Sequence, residues 1–416
     1  MTRRRGPAEA VDRGPSLVGQ EYQVEVGPVA HGGHLVARYE GRVLFVRHAL
    51  PGERVTVRVT EGQERSRFLR ADAVRVHEAS PDRVEPPCPY AGPGRCGGCD
   101  FQHVAVPAQR ELKAAVVREQ LQRLAGLDLP VTVEAVPAVP GQGDGLGWRT
   151  RVQYAVDPDD GRPGLRRHRS HEVVAVDRCR IAHPDLPPVT DRTWPDAAYV
   201  EAIVSSTGER LRLVQAVGSR SIEAEGPEVL HESAAGRDWQ VSGSGFWQVH
   251  PVAADTLADA VAQCAQARHG ERALDLYSGV GLFSAGLARE VGLDGEVVSV
   301  ESDAVAVADA AVNLAGLPQV TLLRDRVDRA LSRGRCGDRA DVVVLDPPRT
   351  GARAAVVRAI AALAPRVVVY VACDPAALAR DVAGFAELGY NLDGLRAFDL
   401  FPMTHHVECV AVLTRG

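Results

Sequence analysis

The spacing of hydrophobic and polar residues changes along the chain and divides it into regions. Between residues 20 and 76, short runs alternate apolar with polar side chains, and turn residues such as Pro51 and Gly52 separate them. Residues 107–125 carry apolar positions at helical spacing. From residue 252 onward, apolar runs alternate with helical patterns, and this rhythm is typical of an α/β protein with a doubly wound sheet.

These patterns predict a short tail followed by three folded regions. The tail at 1–15 is polar and is expected to be disordered, and residues 16–78 are expected to form a small OB-type β-barrel. A central mixed α+β region is predicted at 79–245, and a Rossmann-like α/β domain at 246–416. Strands of that domain are predicted near 272–277, 296–301, 320–324, 341–346, 366–372, 395–400 and 406–413.

Composition narrows the class of protein. The 416 residues carry a net charge of -6, which argues against a chain that is basic throughout but allows a local RNA-binding patch. No apolar run reaches the roughly 20 residues that span a membrane, and no apolar signal segment follows the basic amino terminus, so we expect a cytoplasmic protein. Nothing in the sequence demands a dimer, so a monomer is expected. Lys113 is the only lysine, and the other basic side chains are arginines.

Cys373 is the residue whose surroundings point most directly to chemistry. It follows a continuous apolar run at 367–371, which predicts a buried parallel strand, and it precedes Asp374 and Pro375, which predict a helix N-cap and first turn. A thiol between a strand end and a helix amino end is in a position that favours a thiolate. The alternative is a buried, inert cysteine.

A glycine turn follows the first predicted strand of the α/β domain. Residues 275–283 read Asp-Leu-Tyr-Ser-Gly-Val-Gly-Leu-Phe, and such glycines allow the backbone to approach a cofactor closely. The next strand ends at Glu301, an acidic residue in a position suited to ribose hydroxyls. The third glycine of a dinucleotide fingerprint is missing, so the turn instead resembles that of class I methyltransferases, which bind S-adenosylmethionine. A solvated strand end is the alternative for Glu301.

Further polar residues lie at the ends of later strands. Residues 346–349, Asp-Pro-Pro-Arg, predict a rigid turn at the carboxyl edge of the sheet. Arg349 stands where amino-directed methyltransferases carry a stacking aromatic residue, and this favours methylation at carbon. Glu408 lies on a mostly apolar strand, where burial could raise its pKa and make it a general base. His405 and His406 are rival bases because imidazole titrates near neutrality.

Four cysteines suggest a metal centre. Cys88, Cys96 and Cys99 have the spacing C-x7-C-x2-C, and Cys179 is a plausible fourth ligand. Four thiolates suit zinc or an iron–sulfur cluster, and the spacing taken alone favours structural zinc.

An arginine-rich stretch at 148–180 contains aromatic residues and histidines and fits a surface for single-stranded RNA. Its acidic residues leave open a merely solvated face.

Together these residues resemble the RNA 5-methyluridine methyltransferase family, in the branch with a TRAM domain and an iron–sulfur cluster. The barrel region resembles a TRAM domain, an RNA-binding module, at 32–38, 41–46 and 50–53. Residues 245–251, Gly-Phe-Trp-Gln-Val-His-Pro, resemble the segment whose glutamine contacts the cofactor.

The resemblance implies a role for each matching residue. Cys373 would be the nucleophile and Glu408 the base, and the four cysteines would hold a [4Fe-4S] cluster rather than zinc. S-adenosyl-L-methionine would be bound through the following residues: Gln248, Tyr277, Gly279, Gly281, Glu301, Asp325 and Asp346.

RNA is the implied partner, with ribosomal RNA favoured over transfer RNA because of the TRAM-like region and the cysteine cluster. Three departures stand out: the first cysteine gap is longer than usual, Leu282 replaces a common asparagine, and Ser278 replaces a common cysteine. A catalytically silent RNA-binding protein and an amino-group methyltransferase remain the alternatives, and an iron–sulfur redox enzyme lacks a flavin or nicotinamide signature.

Overall fold

The computed structural model describes residues 14–416, so the tail predicted at 1–15 falls almost wholly outside the described residues. The chain forms two compact units, with the division between Glu85 and Pro86. The central region and the α/β sheet belong to the same unit, and the predicted boundary at 245 therefore stays a prediction. No helix within residues 14–416 combines the length and apolar character needed to cross a membrane.

The first unit is a closed barrel of five strands, as the alternating pattern predicted. Its strands are β1 (Glu21–Ala30), β2 (His34–Tyr39), β3 (Arg42–Arg47), β4 (Arg54–Glu61) and β5 (Phe68–Glu78), in the order β1-β2-β3-β5-β4. Alternation places Val55, Val57 and Val59 in the interior, where each is almost fully buried. Because every second side chain of the strand faces the interior, apolar and polar residues alternate in the sequence.

The second unit begins with a long helix and several antiparallel strands. The helix α1 covers Val106–Ala125, close to its predicted range, and ends at Gly126 in the left-handed conformation. The strands are β6 (Val133–Glu134), β7 (Arg151–Val156), β8 (Pro163–Arg166), β9 (Val173–Ala175), β10 (Ala197–Val204), β11 (Arg210–Ala216), β12 (Ile222–Glu225), β13 (Val229–Ala234) and β14 (Arg237–Ser242). Strands β7 to β12 form one six-stranded sheet, and β13 pairs with β14.

The rest of the unit alternates helix and strand. The elements are α2 (Ala253–Ala265), β15 (Arg272–Leu276), α3 (Leu282–Val291), β16 (Glu296–Glu301), α4 (Ala304–Asn313), β17 (Val320–Arg324), α5 (Val327–Ser332), β18 (Val342–Leu345), α6 (Arg353–Ala362), β19 (Val367–Ala372), α7 (Pro375–Ala386), β20 (Tyr390–Phe398) and β21 (Glu408–Arg415). The strand order is β17-β16-β15-β18-β19-β21-β20-β6, and β21 runs antiparallel to β19. All seven predicted strands are present.

The sheet brings the chemistry-bearing residues to one edge. Strands β15, β16, β18 and β19 are parallel, so their carboxyl ends lie together. Strand β19 is buried along its whole length, and Asp374 caps α7 by accepting a hydrogen bond from the Ala377 amide at 2.7 Å. Because β21 is antiparallel, its first residue, Glu408, reaches the same edge as Cys373.

Candidate active site

A cavity of about 1460 Å³ lies at this edge of the sheet in the second unit. It is wide enough for a cofactor and a nucleotide, since small-molecule sites usually occupy roughly 300–1,000 Å³. The predicted site residues that line it are Gln248, Tyr277, Gly279, Glu301, Asp346, Cys373 and Glu408. Residues far apart in sequence therefore meet in one place.

The glycine turn forms one wall of the cavity. Tyr277 has a φ of 64°, which is uncommon for a bulky residue, and Gly279 has a φ of 53°. Around the position that a side chain at Gly279 would occupy, no atom lies within 4 Å. The turn therefore leaves open space next to exposed backbone, which is the arrangement a closely bound cofactor needs.

Glu301 is held in a fixed orientation at the end of β16. One carboxylate oxygen accepts a hydrogen bond from the Gly279 amide at 3.1 Å, and the other accepts from the amides of Ser302 at 2.5 Å and Asp303 at 2.8 Å. A carboxylate has further lone pairs, so these bonds orient the group without using all of its acceptor capacity. Glu301 can therefore accept hydrogen bonds from ribose hydroxyls.

Three carboxyl groups are buried at the strand ends. Burial raises the pKa of Asp275 to about 7, even though Ser284 donates a hydrogen bond to it at 2.5 Å. Burial and the neighbouring Asp275 raise the pKa of Asp346 to about 7. Burial and Asp346 raise the pKa of Glu408 well above its ordinary value. Asp346 and Glu408 line the cavity, and perturbed carboxyl groups in a cavity are a common mark of a functional site.

Cys373 lies between β19 and α7 as predicted, but its electrostatic surroundings differ from the prediction. Burial, followed by the charges of Glu408 and Asp346, raises the pKa of its thiol to about 11, while Arg349 acts in the opposite direction. The favourable helix amino end is thus outweighed by burial and by neighbouring carboxylates. In the free protein at neutral pH, Cys373 is a protonated thiol.

His405 and His406 line the cavity, and their surroundings differ. Asp100 accepts from the His405 amide and contacts its Nδ1 at 2.6 Å. Burial, together with His405 and Arg349, lowers the pKa of His406 to about 3. A neutral imidazole with so low a pKa is a weak proton acceptor at pH 7.

Two predicted cofactor residues lie outside the lining of this cavity within the described chain. Asp325 pairs with Arg335 at 2.7 Å, and this contact is the main cause of its lowered pKa. Gly281 has a φ of 98° and begins α3, so its role is to turn the chain. Leu282 is buried among apolar residues that include Val280 and Phe283.

Several lining residues were not predicted from the sequence. Arg326 and Asp328 lie one and three residues beyond Asp325, and their guanidinium and carboxylate pair at 3.0 Å. Asp303 lines the cavity and caps α4. Asp100 follows Cys99 directly, and its position beside a candidate ligand was the one available signal. Cavity-lining residues therefore occur at several positions after a strand end, and not only at the first one.

The four predicted metal ligands also meet. The four cysteines, Cys88, Cys96, Cys99 and Cys179, line one small cavity of about 40 Å³. Three arginines line the same cavity: Arg149, Arg178 and Arg180. Burial raises the pKa of the Cys99 thiol well above its usual value, and the neighbouring Cys179 and Cys96 raise it further. Within residues 14–416, however, no group of three or more His, Cys, Asp or Glu side chains is arranged to hold a metal ion.

The arginine-rich stretch at 148–180 is only partly directed to the cavity. Arg149 and His168 line it. Arg151 donates to the carbonyl groups of Gly243 and Gly245, both at 2.5 Å, so it holds the chain next to Gln248. Much of the predicted RNA surface therefore carries structural contacts, and its role in binding RNA stays a prediction.

The fold and the cavity together define a class I methyltransferase domain joined to a small β-barrel. A solved structure, Pyrococcus abyssi tRNA (uracil-54, C5)-methyltransferase in complex with S-adenosyl-L-homocysteine, shares this fold with a TM-score of 0.69. It is 24% identical, and the similarity covers 94% of this chain and 99% of that one.

Sequence comparisons identify the family. Residues 15–74 match the TRAM domain, and residues 237–416 match the family described as tRNA (uracil-5-)-methyltransferase. An RNA methyltransferase of Streptomyces coelicolor is 51% identical over 98% of this chain and 96% of its own length. One from Bifidobacterium longum is 39% identical over 96% of this chain and 98% of its own. The chain belongs to the TRAM-containing RNA (uracil-5-)methyltransferase family, whose members are S-adenosylmethionine-dependent enzymes.

Proposed function

We propose that the protein methylates carbon 5 of a uridine in RNA through a covalent adduct between Cys373 and carbon 6 of the base. The observation that carries this proposal is the meeting of Cys373, Glu408 and Asp346 with the cofactor turn in one cavity. This chemistry needs two groups beside the methyl donor. One is a thiol whose sulfur adds to carbon 6, and the other is a carboxyl group that accepts the carbon 5 proton.

The cofactor residues fit S-adenosylmethionine. We infer that Glu301 accepts hydrogen bonds from the ribose, and that Gln248, Tyr277 and the open backbone at Gly279 contact the rest of the molecule. The cofactor supplies an electrophilic methyl group on a sulfonium centre. Asp325 and Gly281 are left as weaker assignments, because they lie outside the cavity lining in the described residues.

The protein side chains supply the rest of the chemistry. Carbon 5 of uracil is a weak nucleophile. The Cys373 thiol would give up its proton to water and its sulfur would add to carbon 6, which makes carbon 5 enolate-like and nucleophilic. Carbon 5 would then take the methyl group as the bond from that group to the sulfonium sulfur breaks, which leaves S-adenosylhomocysteine. Glu408 then removes the carbon 5 proton, and elimination releases Cys373. Asp346 and nearby backbone amides would position the base, and the amides would stabilise the negative charge that develops on it. A buried cavity requires the uridine to leave its stack, so we expect a loop or remodelled single strand as substrate.

The direct test is product identification. Purified protein is incubated with RNA and S-adenosylmethionine that carries a labelled methyl group, and the RNA is then digested to nucleosides for mass spectrometry. We expect the label in 5-methyluridine. Label in a base with a methylated amino group would support the amino-directed alternative, and absence of transfer despite cofactor binding would favour a silent RNA-binding protein.

Ribosomal RNA is our preferred substrate, because the TRAM domain and four-cysteine arrangement resemble the ribosomal branch. The matching family and the similar Pyrococcus structure are both named for tRNA. The incubation is therefore run separately with each RNA, and the RNA that acquires the label decides between them. Both RNAs function in the cytoplasm, where we expect the enzyme to act.

We also propose that the four cysteines hold a [4Fe-4S] cluster, with zinc as the alternative metal. The donor set fits: four thiols surround one cavity, and nearby Arg149, Arg178 and Arg180 would offset the negative charge of four thiolates. Binding would draw the sulfur atoms together and deprotonate them.

Anaerobic purification followed by iron, sulfide and zinc analysis tests the metal assignment. Cys99→Ser should lose the metal, whereas Cys264→Ser, a variant of a cysteine in α2, should retain it. Purified wild-type protein with neither metal would contradict the proposal.

A further inference from the structure

The loop between β20 and β21 carries the polypeptide from the sheet to Glu408. This segment, residues 399–407, contributes Phe401, Thr404, His405 and His406 to the lining of the cavity. Met403 within it has a φ of 67° and is almost fully buried. A non-glycine residue in this conformation is strained and persists only when its surroundings hold it firmly.

Lys113, the only lysine of the chain, bonds to the first residues of this loop. Its side chain on α1 is fully buried, and its Nζ donates to a carboxylate oxygen of Asp399 at 2.5 Å and to the carbonyl of Phe401 at 3.0 Å. A compact ammonium group can satisfy two acceptors that approach from different directions, whereas a planar guanidinium is wider and more rigid. This explains a lysine in a chain that otherwise uses arginine.

Gln109, one turn earlier on α1, holds the strained residue itself. Its side-chain oxygen accepts from the Met403 amide at 2.8 Å, and its side-chain nitrogen contacts the Met403 sulfur at 3.3 Å. The same nitrogen donates to the carbonyl groups of Phe101 and Val104, which fixes the amide orientation. Gln109 is fully buried, so these bonds are formed without competition from water.

Asp100 completes the set at the other end of the loop. Its amide and that of Phe101 donate to the Met403 carbonyl at 2.9 and 3.0 Å. Its carboxylate accepts from the amide of His405 and contacts the ring at 2.6 Å. Residues 399, 401, 403 and 405 are thus bonded to the segment 100–113, and the same stretch of chain lines the cavity with Phe401, Thr404, His405, His406 and Glu408.

We propose that Asp100, Gln109 and Lys113 form a loop clamp, a set of positioning residues that holds the β20–β21 loop so that Glu408 meets the carbon 5 proton. This inference rests on the proposed function. The contacts of the clamp are with the loop that leads into Glu408, so its effect is expected on the step that needs Glu408. It also connects the four-cysteine segment to the active site, because Asp100 follows Cys99 in the chain.

The test uses variants that weaken the clamp without leaving a buried charge unpaired. Lys113→Met alone would strand Asp399, so the main variant is the double change Lys113→Met with Asp399→Leu, because apolar replacement of a buried ion pair is often neutral for stability. Gln109→Leu is an independent second variant. Arg118→Met removes a charge from the exposed face of the same helix and is the matched control.

We expect kcat to fall about 100-fold in both clamp variants, the cost of misplacing a catalytic group by roughly 1 Å. The Kd for S-adenosylmethionine should stay within about twofold of wild type. A methylated protein–RNA adduct on unmodified RNA should accumulate, because proton removal is the slowed step. Arg118→Met should match the wild type in all three measurements.

Two results would overturn the clamp. One is a folded clamp variant with kcat within threefold of wild type, and the other is equal loss of kcat and cofactor affinity with no adduct. Failure of the proposed function is recognised separately, since the wild type would then form no adduct with RNA containing 5-fluorouridine. If the wild type transfers methyl groups without forming that adduct, a clamp variant with the wild-type rate of transfer still overturns the clamp.

Discussion

Two regions of the second unit gather cysteine thiols, and they differ in size and in neighbours. Cys373 lies in the wide cavity beside two carboxyl groups, and their charges raise the pKa of its thiol. The four cysteines surround a cavity of about 40 Å³ lined by three arginines. In both regions burial is the largest cause of the raised thiol pKa.

The difference shows which groups suit a reversible bond and which suit a permanent one. The Cys373 sulfur can leave carbon 6 of the uracil only after the neighbouring Glu408 has accepted the proton from carbon 5. This order suits a temporary adduct to the base. Four buried thiols that raise one another's pKa favour the neutral form, so their deprotonation would need a bound cation.

Cys373→Ser should abolish methyl transfer to RNA, with a loss of at least about 10⁴-fold, because a serine hydroxyl is a much poorer nucleophile toward carbon 6. Transfer of a labelled methyl group measures it. Cys264→Ser, the same change in α2, should behave as wild type. Substantial activity in Cys373→Ser would place Cys373 among the structural thiols.

Glu408→Gln should lower kcat by about 10²–10⁴-fold, the usual contribution of a general base. A covalent methylated adduct should persist on a denaturing gel, because the carbon 5 proton stays in place. Glu387→Gln, at the exposed end of α7, is the matched control. Loss of activity without any adduct would assign Glu408 to an earlier step.

Glu301→Gln should weaken binding of S-adenosylmethionine by about 10- to 100-fold, the value of a charge-assisted hydrogen bond of roughly 1.5–3 kcal/mol. Isothermal titration calorimetry measures the Kd. Asp294→Asn, an exposed change between α3 and β16, should leave it unaltered. An unchanged Kd in Glu301→Gln would remove the residue from the cofactor site.

Stability should fall as pH rises toward neutrality. The folded pKa of Asp275 is raised from 3.8 to about 7, so its stabilising contribution is complete below about pH 4 and is lost as pH passes about 7. Such a shift corresponds to at most about 4 kcal/mol in the free energy of unfolding. Urea unfolding at pH 5 and pH 8 should show this loss, and Asp275→Asn should reduce it while Asp259→Asn should not. An equal pH dependence in Asp275→Asn would contradict the assignment.

The sequence predicted the sheet edge well, because apolar runs that end abruptly mark buried parallel strands. It placed Cys373, Glu301 and Asp346 at strand ends, where the structure also has them. It did not predict the high thiol pKa of Cys373, because that depends on burial in the folded protein and on carboxyl groups that β18 and β21 bring next to the thiol. Local sequence shows the helix amino end but not the charges that other strands bring to it.

The contacts of α1 could not be predicted either. Lys113 and Gln109 read as ordinary positions on a helix, and their partners lie almost 300 residues later in the chain. Such pairings are tertiary, and no local pattern reports them. The one local signal was that the chain has a single lysine.

Trapping with RNA that contains 5-fluorouridine tests the central claim most directly. Fluorine cannot leave carbon 5 as a cation, so Glu408 could not complete the reaction and the adduct would remain. With S-adenosylmethionine present, the account predicts a methylated RNA adduct that peptide mass spectrometry maps to Cys373. Absence of any adduct from protein that binds the cofactor, or an adduct at another residue, would contradict it.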